Sequence, residues 1–151
     1  MRQALEEAEA AAHRGEVPVG AVIVDAAGVV LAAAGNEVEA RADPTAHAEL
    51  LALRAAARRR GGKFLQGCRL YVTLEPCPLC AAAISLYRIQ CLIFGAYDPK
   101  SGGVEHGPRI FAQPSCHHRP EVIGGVGEIA AASLLQQFFR ERRGSANSAE
   151  C

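Results

Sequence analysis

Apolar residues recur at helical spacing at the start of the chain, at Met1, Ala4, Leu5, Ala8, Ala11 and Ala12, and Gly15 closes the run as a C-terminal glycine does. The pattern predicts a first amphipathic helix. The period then changes: PVGAVIVD (18–25) and GVVLAAAGN (28–36) are short β-branched runs joined by AAG, and they predict a hairpin of two largely buried strands. Residues 45–60 are helical by composition. A strand (RLYVTLE, 69–75), a helix (PLCAAAISLYR, 78–88) and a strand (CLIFGAY, 91–97) follow. Beyond a stretch rich in Gly, Pro and His at 98–120, EVIGG predicts a weak strand and residues from about Gly127 to Arg143 a closing helix. The remainder, GSANSAEC, reads as a disordered tail over 144–151. Neither an internal repeat nor a linker interrupts residues 1–143, which therefore read as one domain. Strands separated by helices need crossover connections, so the middle of the sheet is expected to be parallel, with helices on both faces: an α/β fold.

Composition narrows what such a fold does. The 151 residues, half of them hydrophobic, suffice for one well-buried core and not for two. Sixteen Lys and Arg balance sixteen Asp and Glu, so no global field draws the chain to a polyanion, and any nucleic acid must meet a local basic patch. No secretory leader pattern and no apolar run of spanning length is present, and the chain reads as cytoplasmic. In that reducing setting the six cysteines (68, 77, 80, 91, 116 and 151) read as thiols or metal ligands rather than a disulfide framework.

Two stretches carry the chemistry. In TLEPCPLC (73–80) a strand runs into a helix, with Cys77 at the cap, Pro78 at the first helical position and Cys80 in the first turn. Both sulfurs can then converge at the amino end of a helix, whose dipole favours the thiolate that binds metal. A redox pair or two core thiols are the other uses of this spacing. In TAHAELLAL (45–53), His47 and Glu49 stand at the mouth of the second predicted helix. His47, Cys77 and Cys80 together leave one position of tetrahedral zinc for water, as in a catalytic site, with iron the lesser candidate. Zinc lowers the pKa of bound water from ~16 to roughly 7, and Glu49 then serves as the proton carrier rather than as a ligand. Residues two apart point to nearly opposite sides of an ideal helix, so this convergence depends on first-turn geometry. The plainer uses are a capping or core histidine and an acid at a helix start.

The HAE at 47–49 and PCPLC at 76–80 resemble the zinc-dependent nucleobase deaminases of the cytidine/deoxycytidylate deaminase superfamily. EVPVGAVIV (16–24), Asn36, DPTAHAE (43–49), LYVTLEPC (70–77), FGAYDPKSGG (94–103) and FFRERR (138–143) are similar to the bacterial tRNA adenosine deaminase branch. The resemblance implies a cytidine deaminase-like three-layer α/β/α fold with a mixed, roughly five-stranded sheet, one Zn2+ per chain, and conversion of wobble adenosine in a tRNA anticodon stem-loop to inosine. It further implies a homodimer, Asn36 bonding the purine edge, and the Ala48 backbone N–H meeting the developing oxygen. Asp98 and Lys100 would approach the target nucleotide, and Phe139, Arg140, Arg142 and Arg143 would contact RNA, with Phe138 or Phe139 retained in the core. The short motif is shared with deaminases of guanine, cytosine and cytidine, so a free base or nucleoside is the alternative substrate. A zinc-stabilised RNA-binding subunit without activity is the alternative of another class. RRRGGK (58–63) reads as a solvated helix end. His106, Cys116, His117 and His118 in the loop 104–120 offer further ligands that could close the metal's vacant position, although solvent-facing or capping roles are the expectation.

Overall fold

The alanine stripe forms α1 (Arg2–His13), which buries Ala4, Ala8 and Ala11. Small residues are required because α1 crosses β1 (Gly20–Val24) at backbone contact. A Cβ on Gly20 would stand 2.0 Å from the Ala4 carbonyl oxygen and 2.6 Å from the Ala8 nitrogen. The same helix crowds Gly35, the last residue of β2 (Val30–Gly35), so close approach fixes glycine at both positions. The structure, a computed structural model, describes residues 1–147.

The remaining elements are α2 (Val38–Arg41), α3 (Ala48–Arg60), β3 (Arg69–Leu74), α4 (Pro78–Leu86), β4 (Cys91–Ala96), a single 3-10 turn at Ile110–Ala112, β5 (Glu121–Ile123) and α5 (Glu128–Asn147). They build one five-stranded sheet in the order β2-β1-β3-β4-β5, antiparallel across β2, β1 and β3 and parallel across β3, β4 and β5. Helices α1 and α5 pack together on one face, and α3 and α4 on the other. This is the mixed three-layer α/β/α arrangement expected of the chain. The main core lies between the sheet and the α3–α4 layer, where Ile23, Leu53, Leu65, Leu70, Ile84, Ile89, Leu92 and Phe94 are fully buried. Cys68 and Cys91 are buried as expected. Among the described residues no helix is long and apolar enough to cross a membrane.

Three differences from the expected elements have local causes. Strand β2 is half-buried rather than largely buried because it is an edge strand, and the Arg59 guanidinium donates to its Val30 and Leu31 carbonyls at 2.9 and 3.3 Å. Helix α2 has no apolar periodicity of its own. It forms because the buried Glu16 carboxylate accepts the Glu39 and Ala40 amides, at 3.2 and 2.8 Å. Helix α5 runs to Asn147, past the predicted stop at Arg143, since one glycine at position 144 costs a helix only about 1 kcal/mol. The rest of the expected tail, 148–151 with Cys151, lies outside the described residues.

Candidate active site

The two chemical stretches meet because each is a helix start. Asp43 Oδ1 accepts the Thr45 amide at 2.8 Å and its hydroxyl at 2.7 Å, folding the chain into a turn ahead of α3. His47 is the N-cap of α3, extended at φ −74° and ψ 147°. That geometry answers the spacing problem: His47 is outside the helical repeat, so the angle between residues two apart in an ideal helix does not apply. Cys77 is likewise the extended N-cap of α4, with Pro78 and Cys80 in the first turn as the spacing predicts. Two helix amino ends, each the positive end of its dipole, therefore face the same point.

There His47 Nδ1 lies 3.4 Å from Cys80 Sγ and 3.6 Å from Cys77 Sγ, and one donor atom from each residue falls within 4.8 Å of the others. Tetrahedral zinc with ordinary bond lengths separates a nitrogen and a sulfur ligand by about 3.6 Å, so the donor set fits that ion in both chemistry and spacing. The sulfurs are electrostatically unequal. A hydrogen bond from Cys80 holds the Cys77 thiol down to about 4 against its burial, with His47 assisting, while the same bond and burial push Cys80 up. The bond to Cys77 raises His47. Among the described residues no loop histidine or cysteine joins this group. His118 Nε2 bonds the Ile89 carbonyl at 2.7 Å, Cys116 lies 3.4 Å from Ser85 Oγ, and His106 pairs with Glu75. His117 is exposed.

Glu49 is buried in the first turn of α3. Burial, reinforced by the Cys77 thiolate, pushes its carboxyl up to about 7, against the pull of its own amide, His47 and the Cys80 thiol. With His47, Cys77 and Asn36 it lines a cavity of about 350 Å3 whose walls include Glu16, Val17, Val38, Glu75, Asp98 and Ser101. Asn36 Oδ1 accepts the Ala48 amide at 2.8 Å. Ala48 thus departs from expectation: its N–H is committed to Asn36, and the bond orients that amide so that Nδ2 is the atom left for a ligand.

Val17, Leu74, Asp98 and Ser101 also line a second groove, which continues past Lys100 to Phe139, Arg140 and Arg143. The groove gathers most of the residues expected to contact RNA. Asp98 is partly occupied, its Oδ1 accepting the Lys100 and Ser101 amides at 3.1 and 3.0 Å. Arg142 lines the metal cavity rather than this groove. Its guanidinium donates to the Gly15 carbonyl and lies 4.7 Å from the centre of the Phe138 ring. Phe138 and Arg142 are four apart and share one helix face, with Phe138 buried and Arg142 exposed at the cavity, whereas Phe139, Arg140 and Arg143 line the groove. Phe138 is the core aromatic and Phe139 the exposed one. Sequence reasoning missed Glu16 and Glu75 as pocket residues. For Glu75 a signal existed, an acid closing an otherwise apolar strand just ahead of a ligand.

Comparison with known proteins matches the family model of the cytidine and deoxycytidylate deaminase zinc-binding region to residues 1–96. The chain is 52% identical to a tRNA-specific adenosine deaminase of Agrobacterium fabrum, over 95% of this chain and 93% of that protein. It is 47% identical to one of Aquifex aeolicus, over the same shares of each. A solved structure from a study of A-to-I editing by tRNA:A34 deaminases at the wobble position of transfer RNA superposes with a TM-score of 0.87. That protein is 51% identical, and the match covers 89% of this chain and 97% of the other.

Proposed function

This chain belongs to the cytidine and deoxycytidylate deaminase zinc-binding family, and we propose from that premise that it converts adenosine to inosine at the wobble position of a tRNA anticodon. The overall change is adenosine plus water to inosine plus ammonia. The observation that carries the reading is the meeting of His47, Cys77 and Cys80 at two helix starts, with the buried Glu49 in the same cavity. His47, Cys77 and Cys80 hold the zinc, which when bound lowers the pKa of water to roughly 7 and so supplies a nucleophile at neutral pH.

The chain's own groups do the rest. Glu49 takes the proton from the attacking water and delivers it to the amino group leaving C6, a carrier whose affinity near neutrality suits both transfers. Asn36 Nδ2 donates to the purine edge, held in place by the Ala48 amide behind it. An anticodon loop is single-stranded, so its base enters the cavity at less cost than one drawn from a duplex. The loop backbone follows the groove past Lys100, Arg140 and Arg143, with Phe139 offered for stacking. Such a substrate fits a cytoplasmic enzyme. A homodimer completes the reading: Leu79 and Leu86 are exposed two helical turns apart on α4, an apolar face that a second copy would cover.

The deciding experiment offers the zinc-loaded protein an anticodon stem-loop with adenosine at the wobble position, alongside free adenosine, cytidine, guanine and cytosine, and reads the products by mass spectrometry. Inosine in the stem-loop is expected. Turnover of a free base or nucleoside with none of the RNA overturns the reading. Light scattering tests the dimer.

A further inference from the structure

Glu75 is buried at the end of β3, two residues ahead of a metal ligand, and its carboxylate does not join the metal group. All of its side-chain partners come from one distant segment. Oε1 accepts the amides of Val104, Glu105 and His106 at 3.3, 2.8 and 3.0 Å, and Oε2 accepts the Asp98 amide at 2.9 Å. His106 Nδ1 donates to Oε2 at 2.8 Å.

The segment is pressed onto the turn that carries the ligands. A Cβ on Gly102 would fall 2.6 Å from Glu75 Cδ, and one on Gly103 would fall 2.5 Å from Pro78 N and 2.9 Å from the Cys77 carbonyl carbon. Gly103 also donates to the Pro76 carbonyl at 2.8 Å. The imidazole of His106 is backed by Tyr97, edge-on at 6.1 Å between ring centres. Fixing the Asp98 amide fixes its side chain, which folds Lys100 and Ser101 toward the groove.

We propose that Glu75 and His106 are a positioning pair that clamps residues 98–106 beside the metal cavity and so sets where Asp98 and Lys100 meet the target nucleotide. The proposal rests on the reading of function above. Neither side chain touches the reacting atoms, and their effect falls on binding of the nucleotide more than on its conversion.

The test compares zinc-loaded wild type with His106→Ala, His106→Asn and Glu75→Gln, in stem-loop kinetics and in amide hydrogen exchange. His106→Ala is expected to raise KM about tenfold with kcat within about twofold, and to speed exchange across residues 98–106 while β3 and α4 keep their protection. His106→Asn, whose amide nitrogen can donate where Nδ1 did, is expected to restore both. Glu75→Gln, if it folds, should exceed His106→Ala in both effects, and the histidine variants decide the matter if it does not. A wild-type KM in His106→Ala, or the same KM in the Ala and Asn variants, overturns the proposal alone. Absence of inosine from the wild-type reaction overturns the reading of function and this proposal together.

Discussion

Glu49 and Asp43 are acids six residues apart with opposite electrostatic fates. Glu49 is buried and pushed up to about 7, so it can both accept and release a proton near neutrality. Glu49→Gln should keep the metal, since His47, Cys77 and Cys80 are untouched, and should lower single-turnover rates by about 10²- to 10⁴-fold. Metal content and rate measured on the same sample check this, and a near-normal rate removes Glu49 from proton transfer. Asp43 is held below the usual carboxylate range by the Thr45 hydroxyl and then by the Thr45 amide. Because the folded value is the lower one, this stabilisation is full above the unfolded-state pKa and disappears as pH falls through the folded one. The melting temperature of wild type should exceed that of Asp43→Ala at neutral pH, and the gap should shrink below about pH 3.9, the ordinary aspartate value. A constant gap would show that the carboxylate's charge is irrelevant to the turn. The triad and Glu49 were legible in the sequence because ligand chemistry and short spacing are local. The task of Glu75 was not, since its partners begin twenty-three residues away and are mainly backbone amides, which no side-chain pattern announces.

At the scale of elements, short apolar runs located the strands, since β1 and β4 are buried almost throughout, and spacing or composition located the long helices. What escaped were pieces held by tertiary contacts: α2, capped by Glu16, and the 3-10 turn at Ile110–Ala112, entered by an Ile110 amide bond to the Gly103 carbonyl at 2.8 Å. The crossing of α1 over β1 gives an element-level prediction. Gly20→Ala forces a methyl into the Ala4 carbonyl, so α1 must lift, and the cost should be about 1–3 kcal/mol, read as a lower urea midpoint. An unchanged midpoint would mean the helix rides free of the strand. Since the segment linking α1 to β1 carries Glu16 and Val17, loosened packing there should also weaken RNA binding.

For the whole molecule, a neutral chain must place its cations where an RNA passes. Lys100, Arg140 and Arg143 line the groove beside the metal cavity, and three phosphate contacts on a single strand give a log–log salt slope of about −2 in the binding constant. Replacing Arg140 and Arg143 by Ala should reduce the slope to about −0.7 without loss of metal, measured by fluorescence anisotropy of a labelled stem-loop across a salt series. An unaltered slope would put the RNA elsewhere. Charge balance over the full sequence gives no sign of this surface, whose residues were expected from the family resemblance alone and come from segments about forty positions apart. The sheet's two outer strands have a different consequence. One margin has carbonyls occupied by Arg59, and the other is the brief Glu121–Ile123. The first margin carries an exposed guanidinium charge and the second is only three residues long, and both features oppose the addition of a strand from a foreign polypeptide.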